Sequence, residues 1–233
     1  MTAFRPLGRR DMAADGLQPG DTVLESQVSA AVSTVGATTL TAAQLLTTNI
    51  YRSGSTAAYT DTFDTSANLY QALAGNDNGP QLQPGLGFDL VITNQVAFAE
   101  TITLGAGMIA GSGTISSVPA SSWRQYSFDF LCCQPPTTVV ASGTSGSPNL
   151  TWTLQPGQQS LQEGVAVTAV NIQVGATAIG TGIPANTTVS SVTQGVGGTT
   201  GVVLSANLSA NISNGAIAFV PTVSVSSPGS GTL

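Results

Sequence analysis

The sequence predicts a mainly β protein with two small domains of β-sandwich or barrel type, the first with two short helices, behind an extended N-terminal arm. Apolar and polar residues alternate with period two from Leu86, as in half-buried strands. Short Val, Ile and Thr runs separated by turn signals recur after Pro135-Pro136. A chain of 233 residues can bury two cores. We expect the arm at 1–35 and the domains at 36–134 and 135–233.

The arm is predicted from composition. Residues 1–35 show little sustained periodicity and contain three of the five basic residues, Arg5, Arg9 and Arg10. Segments of this kind often become ordered only on a partner. We therefore expect the arm to bind another protein, and a terminus without a role is the alternative.

The first short helix is expected after residue 41. Thr41 and Gln44 have the spacing of a capping box ahead of Leu45 and Leu46. A strand through 49–52 should follow this helix.

A second short helix is expected near residue 66. Asp64 or Thr65 can cap it and Gly75 can close it. Its apolar face would consist of Leu69, Tyr70 and Leu73. Two prolines and Asn78-Gly79 then indicate a loop over 76–85.

The rest of the first domain has the pattern of strands. In LGFDLVITN one face would hold Leu86, Phe88, Leu90 and Ile92. Residues 100–119 indicate a strand, a Gly-rich turn and a strand, and Phe128, Phe130 and Cys132 alternate again.

The second domain should consist of short strands. The candidate segments are TTVVAS, LTWTL, VAVTAVNIQV, TTVSSV, GVVLS and AIAFVPTVSV. Gly197-Gly198 and Asn214-Gly215 are turn signals between them. The tail SSPGSGTL is expected to be loose.

Low charge limits the possible partners. Charged residues make up 7% of the chain, against about 25% in an average soluble protein, and the net charge is −6. A surface with so few charges either depends on hydroxyl and amide groups or is covered by other subunits. The excess of acids argues against nucleic acid as a partner. No segment has the pattern of a membrane span or a secretion signal, so we expect synthesis in a cytoplasm and no membrane partner.

The two cysteines, Cys132 and Cys133, are adjacent in sequence and cannot easily bond to each other. We expect free thiols on opposite faces of a strand, one buried and one more exposed. An intermolecular disulfide is the alternative.

Several kinds of chemistry are excluded by composition. Without His or Lys, a Ser-His or Cys-His pair and a Walker phosphate loop cannot form. GAGMIAG at 105–111 misses the dinucleotide fingerprint, and NDNG at 76–79 lacks the spaced acids of a calcium loop. We expect no cofactor, no metal and no enzymatic activity.

Paired carboxylates are the remaining route to catalysis, because a glycosidase needs only two. The candidates are Asp61, Asp64, Asp89, Glu100 and Asp129. We expect each of them to lie at a solvated loop, a strand end or a helix cap.

Three aromatic residues are candidates for stacking on sugars, namely Trp123, Tyr126 and Trp152. Aromatic residues on strands more often belong to a core or a subunit interface. Both interpretations stay open from the sequence.

Two stretches resemble phage proteins. The first stretch covers about 38–131 and contains TLTAAQLLTTNIYRSG, DTFDTSANLYQALAG, GFDLVITNQVAFAETITLGAGMIAGSGT and SSWRQYSFDFL. It resembles tailed-bacteriophage virion proteins of the capsid decoration or head-fibre kind. The second stretch covers 178–220 and contains AIGTGIPANTTVSSV, GVVLS and GAIAFV. It is similar to a β-module of phage head, tail and fibre proteins. Asn186 stands where that module more often has Gly, and Asn tolerates a left-handed backbone well.

The resemblance implies a structural role on a virion. The expected function is decoration and stabilisation of a bacteriophage capsid, as a homo-oligomer and most simply a trimer, bound to the major capsid protein. Arg5, Arg9 and Arg10 would contact carboxylates of neighbouring capsid subunits. The alternative is a tail fibre or spike component that binds host surface glycans through residues 137–233.

Overall fold

The computed structural model describes residues 29–74, 82–113, 116–152, 171–195 and 198–233. The chain divides into two compact units. The first unit contains the described residues up to Leu131 together with Val223–Leu233, and the second is Cys132–Thr222. Residues 1–28 of the arm predicted over 1–35, including Arg5, Arg9 and Arg10, lie outside the described residues.

The first unit contains two sheets and two helices. Its strands are β1 (Ser29–Val32), β2 (Thr38–Leu40), β3 (Asn49–Arg52), β4 (Tyr59–Phe63), β5 (Gly87–Asn94), β6 (Glu100–Thr103), β7 (Met108–Ala110), β8 (Ser117–Val118), β9 (Ser122–Cys132) and β16 (Thr222–Thr232). One sheet has the order β1-β3-β5-β9-β16-β7, and the other has the order β2-β4-β6-β8. From β1 to β9, consecutive strands belong alternately to the two sheets.

This alternation explains why several strand pairs are parallel. β1, β3 and β5 pair in parallel in the first sheet, and β2, β4 and β6 pair in parallel in the second. Each pass of the chain adds one strand to each sheet in the same direction. The eight-residue antiparallel pairing of β5 with β9 ends this parallel run.

The two sheets face each other across an aromatic and aliphatic core. The ring of Phe63 on β4 lies 5.3 Å from that of Tyr126 and 5.4 Å from that of Phe128, both on β9. Leu90 and Ile92 of β5 are fully buried beside them. The first unit is therefore a two-layer sandwich, as the alternating pattern predicted.

Both predicted helices are present. Helix α1 (Ala42–Leu45) has the capping box, with Thr41 and Gln44 each bonding the other's backbone. Helix α2 (Ser66–Ala74) begins after Thr65, whose hydroxyl accepts a hydrogen bond from the Asn68 amide. Leu69 is fully buried, while Gly75 and most of the predicted loop (75–81) lie outside the described residues.

The second unit is an antiparallel sheet of six strands. These are β10 (Thr137–Gly143), β11 (Asn149–Thr151), β12 (Thr177–Ile179), β13 (Val189–Gly195), β14 (Gly198–Leu204) and β15 (Ile212–Val220), in the order β12-β15-β10-β11-β14-β13. The two outermost strands meet, because Ala178 donates to the Thr187 carbonyl and Val189 donates to the Ala176 carbonyl. The sheet thus curls around its core in the manner of a barrel.

The core of the second unit is apolar. Its larger buried members are Leu150, Trp152, Ile172, Leu204, Leu208, Ile217 and Phe219. Asn186 has φ of +60°, so the left-handed backbone that the GIPAN turn requires is confirmed.

Four expectations about segments were wrong. Residues 29–32 of the expected arm form strand β1. The tail expected to be loose is part of β16, so the second domain does not extend to 233 and residues 223–233 belong to the first unit. Residues 171–174, expected to be in a strand, are not, and Asn214-Gly215 lies inside β15 at a shift of register instead of at a turn.

Candidate functional site

A buried polar cluster lies between the two sheets of the first unit. Arg52 on β3 and Asp61 on β4 are both fully buried and form an ion pair of 2.5 Å between Nε and Oδ2. The guanidinium also lies over the Tyr59 ring, 4.7 Å from the ring centre. A single side chain thereby joins the two sheets.

Arg52 also binds the backbone that follows β1. Its Nη atoms donate to the carbonyls of Val32 at 2.9 Å, Thr34 at 3.3 Å and Gly36 at 3.0 Å. Five N–H groups in a fixed fork allow one arginine to satisfy several acceptors. The segment between β1 and β2 is therefore held in place by Arg52.

Glu100 on β6 is fully buried next to this ion pair. Burial raises the pKa of Glu100 to about 8, and the negative charge of Asp61 and a hydrogen bond to it act in the same direction. Its Oε2 accepts from the Tyr59 hydroxyl at 3.3 Å, and burial followed by the charge of Glu100 raises the pKa of Tyr59. Glu100 thus keeps its proton to a higher pH than an exposed glutamate does.

Asn94, at the end of β5, connects the cluster to two loops. Its Oδ1 accepts from the Tyr59 hydroxyl and from the Val96 amide, and its Nδ2 donates to the carbonyls of Phe98, Val118 and Pro119. Asn94 is fully buried, so these contacts replace water as its hydrogen-bond partners. The cluster orders loops as well as joining sheets.

The opposite face of the six-stranded sheet, called here the outer face, has a different composition. Across β3, β5 and β9 it comprises Asn49, Tyr51, Asp89, Val91, Thr93, Trp123, Gln125, Ser127 and Asp129. Thr93 donates to Asn49, and Asn49 donates to the Tyr51 hydroxyl at 3.1 Å. A Cβ added to Gly231 would meet the Trp123 indole, so the ring lies close against the β16 backbone. The outer face is a mainly polar surface with two half-buried aromatic rings, and Leu131 near the end of β9, 54% exposed, lies on it as well.

The three predicted aromatic candidates lie in different environments. Trp123 is half-buried on the outer face, whereas Tyr126 is fully buried on the inner face of the same strand. Trp152 is buried in the core of the second unit, 5.9 Å from the Phe219 ring. Trp123 is therefore the one member of this set that is not buried, and the sequence analysis missed Tyr51, which lies on the same face two strands away, with Thr93 between them.

The carboxylate candidates are divided between interior and surface. The expectation of solvated positions was wrong for Asp61 and Glu100, because each has a buried partner on another strand. Thr65, not Asp64, caps α2, whereas Asp64 accepts from the Ala42 amide at the start of α1 and from the Thr65 amide. Burial alone would raise the pKa of Asp64, but bonds from Asn68, Ala42 and Thr65 together hold it below its ordinary value. Asp89 and Asp129 lie on the outer face.

The two cysteines are free, as expected, but both are buried, so the expectation that one is more exposed was wrong. Burial raises the pKa of both thiols, that of Cys133 to about 11. Such thiols are protonated at neutral pH and react slowly.

The remaining features show no metal or cofactor geometry. Within the described ranges no three His, Cys, Asp or Glu side chains are grouped as a metal site would need. GAGMIAG connects β6 to β7 in the other sheet, with no helix after it, and NDNG lies outside the described residues. No helix in the described part has the length and apolarity to span a membrane.

Comparison with known proteins identifies no relative: no family model, no curated protein and no solved structure matches the chain.

Proposed function

We propose that this protein is a non-catalytic virion component that decorates a bacteriophage capsid and stabilises it. The proposal rests on the resemblance of residues 38–131 and 178–220 to phage virion proteins. It places the protein on the capsid surface, as a homo-oligomer and most simply a trimer, in contact with the major capsid protein.

The observation that carries the proposal is where the first unit places its charges. Arg52 and Asp61 form an ion pair between the sheets with Glu100 buried beside them, while most of the outer face consists of hydroxyl, amide and aromatic groups. Covering such groups by another subunit costs little when they find hydrogen bonds, whereas burying unpaired ions costs much more. The first unit therefore offers a surface suited to contact with other subunits.

Stabilisation would arise from mass action. A protein that binds the assembled shell and not its free subunits shifts the equilibrium toward the shell. Many weak contacts, repeated over the shell, add through multivalency. The arginines of the arm would contribute charge-assisted bonds to capsid carboxylates.

Deletion of residues 1–28 tests the role of the arm. The deletion stops before β1, whose backbone pairs with β3, so the first unit should stay folded. We expect the truncated chain to be absent from purified particles while its circular dichroism still shows β-structure. Normal occupancy of particles by the truncated chain would refute the role of the arm.

A tail fibre or spike component that binds host glycans is the second candidate. Trp123 and Tyr51 favour it, because two accessible aromatic rings on one sheet face can stack on sugars. The glycan site would then lie in the first unit, because Trp152 and Phe219 of the second unit are buried. Particles labelled against this chain distinguish the candidates: signal over the head supports decoration, and signal at the tail supports adhesion.

A further inference from the structure

The outer face has the chemistry of a surface that binds arginine. Asp89 and Asp129 lie at one end of it, with the Ser127 hydroxyl donating to Asp89 at 2.6 Å. The aromatic rings of Tyr51 and Trp123 lie at the other end. Guanidinium groups form paired hydrogen bonds with carboxylates and stack on aromatic rings. The same face therefore offers both of the contacts that arginine favours.

The described part of the chain has no arginine of its own for this face. Arg52 is fully buried in the cluster between the sheets, and Arg124 is 9% exposed and points to the inner face. The other three basic residues of the chain, Arg5, Arg9 and Arg10, fall within the first ten residues, which contain no acid. This short stretch carries a charge of opposite sign to that of the outer face.

The chain enters the first unit next to the acidic end of the outer face. Ser29 pairs with Asn49, and Asn49 pairs with Val91. Asp89 precedes Val91 by two residues, and β1 runs parallel to β5 through β3. The chain that leads into Ser29 therefore approaches from the end of the sheet at which Asp89 and Asp129 lie.

The connecting length is sufficient. β9 is the third strand from β1, so Asp129 lies about 14 Å across the sheet from β1 at about 4.8 Å per strand. A flexible chain of the length of residues 11–28 has a root-mean-square reach of about 23 Å. The reach of this connection exceeds the distance to Asp129. A tether long enough to join two sites gives a high effective concentration, which favours binding within one molecule over binding between molecules.

We propose that residues 1–10 dock on the outer face of their own molecule, with Arg5, Arg9 and Arg10 contacting Asp89, Asp129 and the rings of Tyr51 and Trp123. This contact belongs to the free chain and does not depend on the capsid role.

Trypsin provides a direct test, because the chain contains no lysine. Arg5 precedes Pro6, which blocks cleavage there, and Arg52 and Arg124 are buried, so the native protein should be cut only after Arg9 and Arg10. The cleavage rate is measured for the wild type, for Asp89→Asn/Asp129→Asn and for a synthetic peptide of residues 1–28. We expect the double variant to be cut about fivefold faster than the wild type and nearly as fast as the peptide.

Two further variants keep the test decisive. Asp89→Glu/Asp129→Glu retains both charges and should be cut at the wild-type rate. Trp123→Leu, with both aspartates present, should also be cut faster than the wild type. It replaces Asp89→Asn/Asp129→Asn in the test if that variant misfolds. Fragments ending at Arg52 or Arg124 would reveal misfolding. Equal rates for the wild type, Asp89→Asn/Asp129→Asn, Trp123→Leu and the peptide would overturn the proposal.

Dilution separates docking on the same molecule from docking on a second copy. Protection of Arg9 and Arg10 that stays constant from high to low protein concentration supports docking within one chain. Protection that disappears on dilution would overturn the proposal and assign the arm to the face of another copy.

Discussion

The interiors of the two units differ in the way their strands are joined. In the first unit an arginine, two carboxyl groups, a tyrosine and an asparagine bond one another between two sheets. In the second unit the corresponding space is filled by aliphatic and aromatic side chains, and the buried polar groups include threonine hydroxyls such as the Thr177–Thr222 pair at 2.7 Å. By sequence, Glu163 is the one charged residue in 132–222.

The difference shows that a chain with few charged residues can use some of them in its interior, where they hold separate strands together. The buried ion pair of the first unit brings together strands of different sheets and the segment before β2. The described part of the second unit closes by backbone hydrogen bonds, apolar packing and uncharged side-chain hydrogen bonds such as the Thr177–Thr222 pair. The two units should therefore respond differently to the loss of a single polar side chain and to pH.

The largest expected effect is that of Arg52→Met. Removing the guanidinium leaves Asp61 buried without its partner and three carbonyls without their donor, which should lower the stability of the first unit by about 3–5 kcal/mol. Hydrogen exchange should become faster in β3 and β4 and stay unchanged in β14 and β15. Arg52→Met/Asp61→Leu, which removes both charges, should recover part of the loss, and a loss below about 1 kcal/mol in the single variant would contradict this account.

The next effect is a pH dependence confined to the first unit. The folded-state pKa of Glu100 is about 8, above the ordinary 4.5, so the folded state holds this proton more tightly. The resulting stability is fully present below about pH 4.5 and is lost as the pH rises through 8, and at about 1.4 kcal/mol per pKa unit it is on the order of 4–5 kcal/mol. Denaturant unfolding at several pH values should show this loss in the wild type.

Glu100→Gln is the matched control for the pH dependence. An amide of the same size cannot ionise, so the stability of the variant should be nearly constant over the same range. A wild-type slope that persists in Glu100→Gln would assign the effect to another group.

The loss of Asn94 should be smaller. Asn94→Leu removes the donor that three loop carbonyls share and the acceptor of the Val96 amide, at a cost of about 2 kcal/mol. Thermal unfolding measures the loss, and faster exchange of the Val96 amide would locate it. An unchanged exchange rate at Val96 would show that another group holds these loops.

The smallest effect is expected at Asn186 of the second unit. Asn186 matters because it adopts a left-handed backbone, with φ of +60°. Its role does not depend on a buried hydrogen-bond network like that of the first unit. Asn186→Gly should change stability by less than about 0.5 kcal/mol, whereas Asn186→Ala should cost about 1 kcal/mol. Equal losses in both variants would mean that the side chain, and not the angle, matters at this turn.

Sequence reasoning was most successful where the signal is local. The Thr41–Gln44 box, the cap at Thr65, the alternation in β5 and β9 and the left-handed Asn186 all depend on neighbours in sequence. The mainly β class followed from the same short-range patterns.

Long-range features escaped prediction. Arg52 and Asp61 lie on strands of different sheets, and nothing in their sequence spacing shows that consecutive strands alternate between sheets. Residues 226–232 were expected to be loose because Pro228, Gly229 and Gly231 are weak strand formers, yet their strand continues from Val223 and Val225 in the core of the first unit. For Trp152 the sequence left open whether its ring packs in a core or contacts a sugar, and the structure places it in the core of the second unit.

The most direct test of the central claim is gold labelling of purified particles with antibodies against residues 198–233. The account predicts label distributed over the whole head and co-purification of the chain with the major capsid protein. Label restricted to the tail, or particles that lack the chain altogether, would contradict it.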